Sequence, residues 1–245
     1  MQSVIITGAS GGIGRELVKE FKLANYHVVG IDASPTSNSS DIDFLRFDLS
    51  RIIDDHQSRE SLKSSILELT HGNQIKALVN NAAIQNVKPF LEIDAADWLP
   101  SLRINLLAPF FLSQLLYQEL AIAQGSVLNI SSIHASQTKK GFSIYATTKA
   151  ALSSLTKVLA IELGSQVRVN AIEPGAISTQ MLEAGFEGDP RRRKSLAELQ
   201  PMKRIGLPSE VAKLAVFMTS DGARFVNGST FAIDGGIRNQ LHDPL

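Results

Sequence analysis

Ser3-Val4-Ile5-Ile6-Thr7-Gly8-Ala9-Ser10-Gly11-Gly12-Ile13-Gly14 is a short apolar run that breaks into four glycines and resumes with helical period. A strand that turns on glycine and opens a helix is the first half of a nucleotide-binding βαβ unit. The helix N-terminus offers free backbone N–H donors to a pyrophosphate, and side chains at Gly8 and Gly12 would block its close approach. Gly14 is expected to let the helix lie close to the sheet. The spacing G-x-x-x-G-x-G departs from the better-known G-x-G-x-x-G, so the assignment leans on the strand–turn–helix context. The alternative is a tight turn that binds nothing.

Beyond this run, β-branched stretches alternate with longer segments of helical period. Strands are expected at 3–7, 27–31, 43–47, 75–80, 126–131, 167–172 and 230–233, and helices at 12–23, 59–70, 95–121, 144–163 and 209–219. The strands are nearly all apolar, as parallel strands covered by helices on both faces must be. Leu152, Leu155, Leu159 and Leu163 share one side of the fourth helix, which is therefore expected to pack on the sheet. The stretch 32–41, rich in Ser, Asn and Pro, is expected as a surface loop. The stretch 178–207 is too long for a simple connection and is expected to be a substrate lid. The chain thus predicts a single α/β domain over 1–245, a Rossmann-type doubly wound sheet of about seven parallel strands flanked by helices.

Composition narrows the function. The 245 residues are 44% apolar and contain no cysteine, which excludes disulfides, thiolate nucleophiles and Cys-based metal sites; no metal site is expected. Lys and Arg balance Asp and Glu at 24 each, so no global field draws the chain to nucleic acid or an anionic membrane. The most apolar stretch, 106–116, is interrupted by Pro109, Ser113 and Gln114 and falls short of the roughly 20 residues a membrane span needs. Met1-Gln2-Ser3 runs straight into a strand, leaving no room for a charged leader; a cytoplasmic protein is expected.

Asp32 lies 18 residues beyond Gly14, at the end of the second strand. A carboxylate there accepts both ribose hydroxyl protons of NAD and repels a 2′-phosphate. Ser10, Gly11, Ala33 and Ser34 bring no charge to offset that repulsion, and Arg15 is the one nearby base, so NAD is expected over NADP. A helix-capping or loop aspartate is the alternative.

Tyr145-Ala146-Thr147-Thr148-Lys149 sets a phenol and an ammonium one helical turn apart on one face. Hydride transfer at a carbinol carbon needs a group that exchanges a proton with the oxygen, and an adjacent ammonium favours the phenolate. Alone, the pair is compatible with a structural tyrosine and a surface lysine. Its company argues otherwise: Ser131 and Ser132 end the fifth strand, Asn80-Asn81-Ala82-Ala83 closes the fourth, and Asn105 sits mid-helix, where asparagine is a mediocre helix former. Carboxyl ends of parallel strands are where open α/β sheets bind ligands.

Together, T-G-x-x-x-G-I-G, N-N-A, Asn105, Ser132, Tyr145/Lys149, Pro174-Gly175 and Asp234-Gly235-Gly236 resemble the short-chain dehydrogenase/reductase family over essentially the whole chain. The resemblance implies an oxidoreductase that moves hydride between NAD(H) and a secondary alcohol or ketone. It implies Tyr145 as general acid/base and Lys149 as the group that lowers the phenol pKa and binds the nicotinamide ribose. Ser132 would bond the reacting oxygen and Asn105 would hold a water linking Lys149 to solvent. Gly8, Ser10, Gly11, Gly12, Ile13, Gly14, Asp32, Asn81, Ala82 and Ala83 would line the dinucleotide, with Asp48 and Leu49 at the adenine. Pro174, Gly175, Ile177 and Thr179 would orient the nicotinamide. A homo-oligomer, tetramer or dimer, is also implied, with the last helix and strand at one interface.

Two positions depart from the family pattern: Ala83 stands where glycine is common, and Glu173 stands directly before Pro174-Gly175, where a small or neutral residue is typical. Glu173 either faces the cofactor edge of the cleft or is a salt-bridged side chain. Ser132, His134, Gln137 and Glu173 are the substrate-side candidates, with Gln85 and Phe142 as further walls by position. The run Arg191-Arg192-Arg193-Lys194 either favours an anionic substrate or is a solvated face. A non-catalytic dinucleotide sensor on the same fold is the main competing function. An epimerase or dehydratase would need a larger substrate domain, and a methyltransferase gives Tyr145 and Lys149 no purpose.

Overall fold

The computed structural model describes residues 1–34, 42–186 and 188–241. Most of the expected loop at 32–41, its residues 35–41, lies outside them, as does residue 187 of the expected lid. Seven strands form one sheet in the order β3-β2-β1-β4-β5-β6-β7. They are β1 (Gln2–Thr7), β2 (Tyr26–Asp32), β3 (Asp43–Arg46), β4 (Gln74–Asn80), β5 (Ser126–Ile130), β6 (Arg168–Pro174) and β7 (Thr230–Ile233), and every pairing is parallel. The order reverses between β1 and β4, which opens a crevice at their carboxyl ends.

Helices α1 (Gly12–Leu23) and α9 (Pro208–Thr219) cover one face; α2 (His56–Leu69), α3 (Ala95–Leu102), α4 (Ala108–Leu115), α5 (Tyr117–Ile122) and α6 (Ser143–Leu163) belong to the other. Successive side chains of a strand point to opposite faces. Val4 and Ile6 accordingly join Leu17, Phe21, Val211 and Ala215 in one core, while Ile5 joins Leu62, Ile66, Leu112 and Leu159 in the other. Leu159 is buried in the second of these cores with Leu155 and Leu163 packed against it, as their spacing predicts, and Leu152 is buried as well. Among the described residues, no helix is long and apolar enough to cross a membrane.

Two expectations are corrected, and the 178–207 stretch is given its internal structure. The continuous helix at 95–121 is instead α3, a π-helical turn at Arg103–Leu107, α4, and α5 after a break at Leu116. Proline explains the wide turn: Pro109 has no N–H to give the carbonyl of Asn105 four residues earlier, and the chain accommodates this with an i→i+5 bond from Ala108 to Arg103. Helix α2 starts at His56, ahead of the expected 59, because the Asp55 carboxylate caps it by accepting from the Gln57 N–H at 2.9 Å. The stretch 178–207 contains two helices, α7 (Gln180–Ala184) and α8 (Pro190–Leu199). Its two ends meet where Gly206 N–H donates to Ala176 and Ser178 N–H donates to Gly206, both at 2.9 Å.

Candidate active site

The glycine turn is built by close approach. Gly8 holds φ at +64°, the left-handed region, and a Cβ there would stand 2.8 Å from the Ala82 Cα. Thr7 Oγ1 accepts from the N–H groups of both Asn81 and Ala82 at 3.0 Å, and Asn81 Nδ2 donates to the carbonyls of Thr7 and Gly8 at the same distance. The Asn-Asn-Ala segment is thus a clamp on the glycine turn. Gly12 is small because Thr179 lies against it, 2.9 Å from where its Cβ would be, so the far segment reaches the turn through that residue. Gly14 is needed for a reason other than helix–sheet packing: its Cβ would collide with the Gly8 carbonyl inside the turn itself.

Helix α1 begins with no side-chain cap and no acidic residue in its first turn. Its leading N–H groups and positive dipole end therefore face the crevice with an anion's requirements met. Ser10 Oγ is buried with no partner among the described residues. An open helix start, an orphaned hydroxyl and a turn stripped of Cβ atoms fit a dinucleotide pyrophosphate. A cleft of about 1280 Å³ runs from Ala9, Ser10 and Gly12 along α1 past Lys19 to Leu23, with Thr179 and Pro208 across from it; Asp32 and Tyr145 are not in its lining.

Asp32 ends β2 with its carboxylate braced on the backbone, accepting from Ser10 N at 3.0 Å and Ser34 N at 3.1 Å. Arg15 is not the one nearby base. Parallel pairing sets Arg46 of β3 opposite Asp32, and its Nε donates to the Ala33 carbonyl at 3.2 Å. The strand register carries that information, and it is legible only once β2 and β3 are known to pair. Asp48 caps a short turn through Ser50 N, and the Leu49 side chain is buried in the core, which leaves its backbone for an adenine contact.

Tyr145, Lys149, Ser132 and His134 come together. Lys149 Nζ donates to the Ile130 carbonyl at 2.7 Å, at the end of β5, and stands 5.8 Å from the centre of the Tyr145 ring. Burial pulls the ammonium down to about 7. Burial likewise pushes the Tyr145 phenol up to about 12, against the opposing pull of its hydrogen bond with Ser132. The phenol is therefore protonated at neutral pH. The His134 ring stacks on Phe142 at 4.4 Å and meets Tyr145 edge-on at 5.8 Å. Desolvation, helped by the Lys139 charge, lowers His134 to about 4, so it enters the site as a neutral ring.

Asn105 is fully buried in the π-helical turn. Its Oδ1 accepts from Ile84 N at 2.9 Å, and its Nδ2 donates to the Ile84 carbonyl at 2.9 Å and to Thr148 Oγ1 at 3.0 Å. Both amide hydrogens are spent on the protein, so the side chain ties the segment after Ala83 to the helix of Tyr145.

Glu173 and Gln137 are drawn into a different network. Glu173 is buried and salt-bridged: Oε1 accepts from Ser153 at 2.8 Å and Oε2 from Arg238 Nη1 at 2.9 Å. The Arg238 Nε donates to Asp234 at 2.6 Å, and the Arg238 carbonyl accepts from Gln137 at 2.8 Å. Gly175 packs so closely on Asp234 that its Cβ would lie 2.8 Å from the Asp234 Cα. Ile177 is buried in the core. The basic run is locally paired, Arg191 with Asp189, Arg193 with Glu183 and Lys194 with Glu198. Arg46, Thr148, Ser153 and Arg238 are the site residues that the sequence did not signal; each acts through a partner distant in the chain.

Comparison with known proteins gives a consistent result. The family model described as enoyl-(acyl carrier protein) reductase matches residues 8–238. The chain is 34% identical to Protein FixR of Bradyrhizobium diazoefficiens over 95% of its length and 85% of that protein. It is 32% identical to L-xylulose reductase of Bos taurus, covering 95% and 94%. Its structure resembles ligand-free aldohexose dehydrogenase of Thermoplasma acidophilum with a TM-score of 0.91, 28% identity and coverage of 100% and 97%. Two further likenesses, each with a TM-score of 0.86, are 4-hydroxyisoleucine dehydrogenase complexed with NADH (29% identity, covering 98% and 100%) and ElxO with NADP bound (27% identity, covering 98% and 99%).

Proposed function

The chain belongs to the short-chain dehydrogenase/reductase family, and from that premise we propose an NAD-linked alcohol dehydrogenase/ketone reductase with Tyr145 as its general acid/base. The observation that carries it is the buried Tyr145–Lys149–Ser132 cluster at the carboxyl edge of a sheet whose glycine turn fits a dinucleotide. A nicotinamide dinucleotide held over the glycine turn would supply the hydride chemistry. Tyr145, protonated at neutral pH, gives its proton to the carbonyl oxygen in reduction and takes it back in oxidation. Ser132 holds that oxygen in line with the phenol and is the group that draws the phenol down against its burial, while Lys149, drawn down to about 7 and 5.8 Å from the ring centre, is the hydrogen-bond donor to the ribose. The water between Lys149 and solvent is assigned to the backbone carbonyl of Asn105, which Pro109 deprives of its ordinary helical donor.

NAD is favoured over NADP because the Asp32 carboxylate is fixed where a 2′-phosphate would meet it. The 178–207 segment, its ends tied by the hydrogen bonds of Gly206 with Ala176 and Ser178, is the lid over a small alcohol or ketone. Neutral His134 and Phe142 form the substrate wall beside Tyr145. A homo-oligomer, dimer or tetramer, is part of the proposal. A cytoplasmic location completes the proposal.

The test is Tyr145→Phe, assayed with NAD and NADP against polyols, sugars, hydroxy acids and hydroxysteroids. Turnover should fall by about 10² to 10⁴ while NADH binding, followed by nicotinamide fluorescence, stays intact. Retained turnover rules out the role of Tyr145. Dinucleotide binding by the wild type with no turnover on any substrate favours a sensor.

A further inference from the structure

At the opposite end of the sheet from Tyr145, three side chains from three separate elements bring one ligating atom each to a single point. His27 lies near the start of β2, Asp43 at the start of β3, and His71 in the turn between α2 and β4. The Nε2 atoms of both histidines lie 3.1 Å from the same atom, Asp43 Oδ2. Their rings meet edge-on with centres 5.4 Å apart, and the three ligating atoms all lie within 4.8 Å of one another. A fourth candidate ligand atom, the Leu69 carbonyl oxygen, lies 2.8 Å from His27 Nε2.

Hydrogen bonding accounts for part of this arrangement, His27 Nε2 with the Leu69 carbonyl and His71 Nε2 with Asp43, and leaves the 3.1 Å contact of His27 with Asp43 without a hydrogen. His27 Nε2 faces two oxygens and carries at most one hydrogen, which cannot point at both. A cation at the centre would engage a lone pair from every member at once. Tetrahedral zinc, with bonds of about 2.0 to 2.2 Å, holds its ligand atoms roughly 3.3 Å apart. The two His–Asp separations, both 3.1 Å, stand within a few tenths of an ångström of that spacing, and the two histidine nitrogens lie within 4.8 Å of each other, a gap that rotation of the exposed His71 ring would close. Two imidazoles with a carboxylate select a borderline transition metal over calcium or magnesium, which want oxygen ligands. The side chain of His71 is 61% exposed, which gives a cation its way in.

We propose that His27, Asp43 and His71, with the Leu69 carbonyl, form a structural zinc-class site that clips edge strand β3 to β2 and to the α2–β4 turn. β2 ends at Asp32 and β3 leads to Asp48, so the clip steadies the two strands on the adenosine side of the crevice from their far ends.

The test uses full-length protein without a histidine tag, stripped with a chelator and titrated with Zn²⁺ by calorimetry. Thermal unfolding and Co²⁺ absorption are followed in parallel. The wild type should take up a single zinc per chain, gain about 5 °C in Tm at a hundredfold excess over Kd, and give a cobalt spectrum of four-coordinate intensity. His71→Asn, which keeps a residue suited to this exposed turn, and Asp43→Asn should lose all three responses. If Asp43→Asn fails to fold, His71→Asn alone decides. No saturable binding by the wild type, or binding undiminished in His71→Asn, overturns the site and leaves a hydrogen-bonded His–Asp–His cluster.

Discussion

Glu173 accepts a hydrogen bond from Arg238 at 2.9 Å, joining the residue before the Pro174-Gly175 bend to the turn at Ile237–Asn239. One guanidinium serves two carboxylates, Glu173 and Asp234, whose side chains are each only 6% exposed. Arg238 thereby gives the unusual glutamate its ion-pair partner, and its carbonyl, accepting from Gln137, holds the 237–239 turn to the loop that follows Ser132.

Removing one member of a buried ion network leaves its partners charged and unpaired. Arg238→Ala should therefore cost about 3 kcal/mol in urea denaturation. Arg238→Lys should recover only part of it, because an ammonium cannot reproduce the planar fork between two carboxylates. A loss below about 1 kcal/mol in the alanine variant would show the pair to be solvent-screened.

The buried pair at the site sets a pH dependence. Lys149 is held down at about 7, from an ordinary 10.5, by burial. Between about pH 7 and 10 the unfolded chain binds a proton at this residue that the folded chain does not, so stability rises with pH across that window. Tyr145, pushed up to about 12, opposes the trend above about pH 10, where the folded chain keeps a proton that the unfolded one has released. The urea midpoint should climb from about pH 7 to 9.5 in the wild type and flatten in Lys149→Met. Equal slopes would contradict the burial of the ammonium.

Asp32 and Arg46 sit opposite each other across β2 and β3 and should pull cofactor choice in opposite directions. Asp32→Ala should shift the ratio of kcat/KM for NAD over NADP toward NADP by about tenfold or more. Arg46→Ala should shift it the other way by a smaller factor. Asp32→Ala should also lower Tm, since two backbone N–H groups, those of Ser10 and Ser34, lose their acceptor. A wild type that already prefers NADP by a wide margin would refute the role given to the carboxylate.

Gly8→Ala combines a left-handed φ of +64° with a Cβ 2.8 Å from backbone. It should cost about 2 to 4 kcal/mol and abolish NADH binding. Gly72→Ala is the control: φ is +79°, but nothing lies within 4 Å of the added Cβ, so only the conformational cost of about 1 kcal/mol applies. Similar losses in both variants would mean that the approach of Ala82 is not what requires glycine at position 8.

Local pattern carried much of this protein. The short, nearly all-apolar runs located all seven strands, the four-residue step from Tyr145 to Lys149 put both on one face of α6, and the glycines marked the turn before α1, because each of these depends on residues close in the chain. What only tertiary structure decided were matters of partnership. Glu173 is a buried salt bridge because Arg238 returns to it from 65 residues away, and Arg46 stands by Asp32 because two strands pair in one register. Gly14 faces the Gly8 carbonyl, and Asn105 spends its amide on Ile84 and Thr148. Periodicity fixes the direction in which a side chain leaves the backbone, but the group it meets there is set by packing between segments that the sequence does not list together.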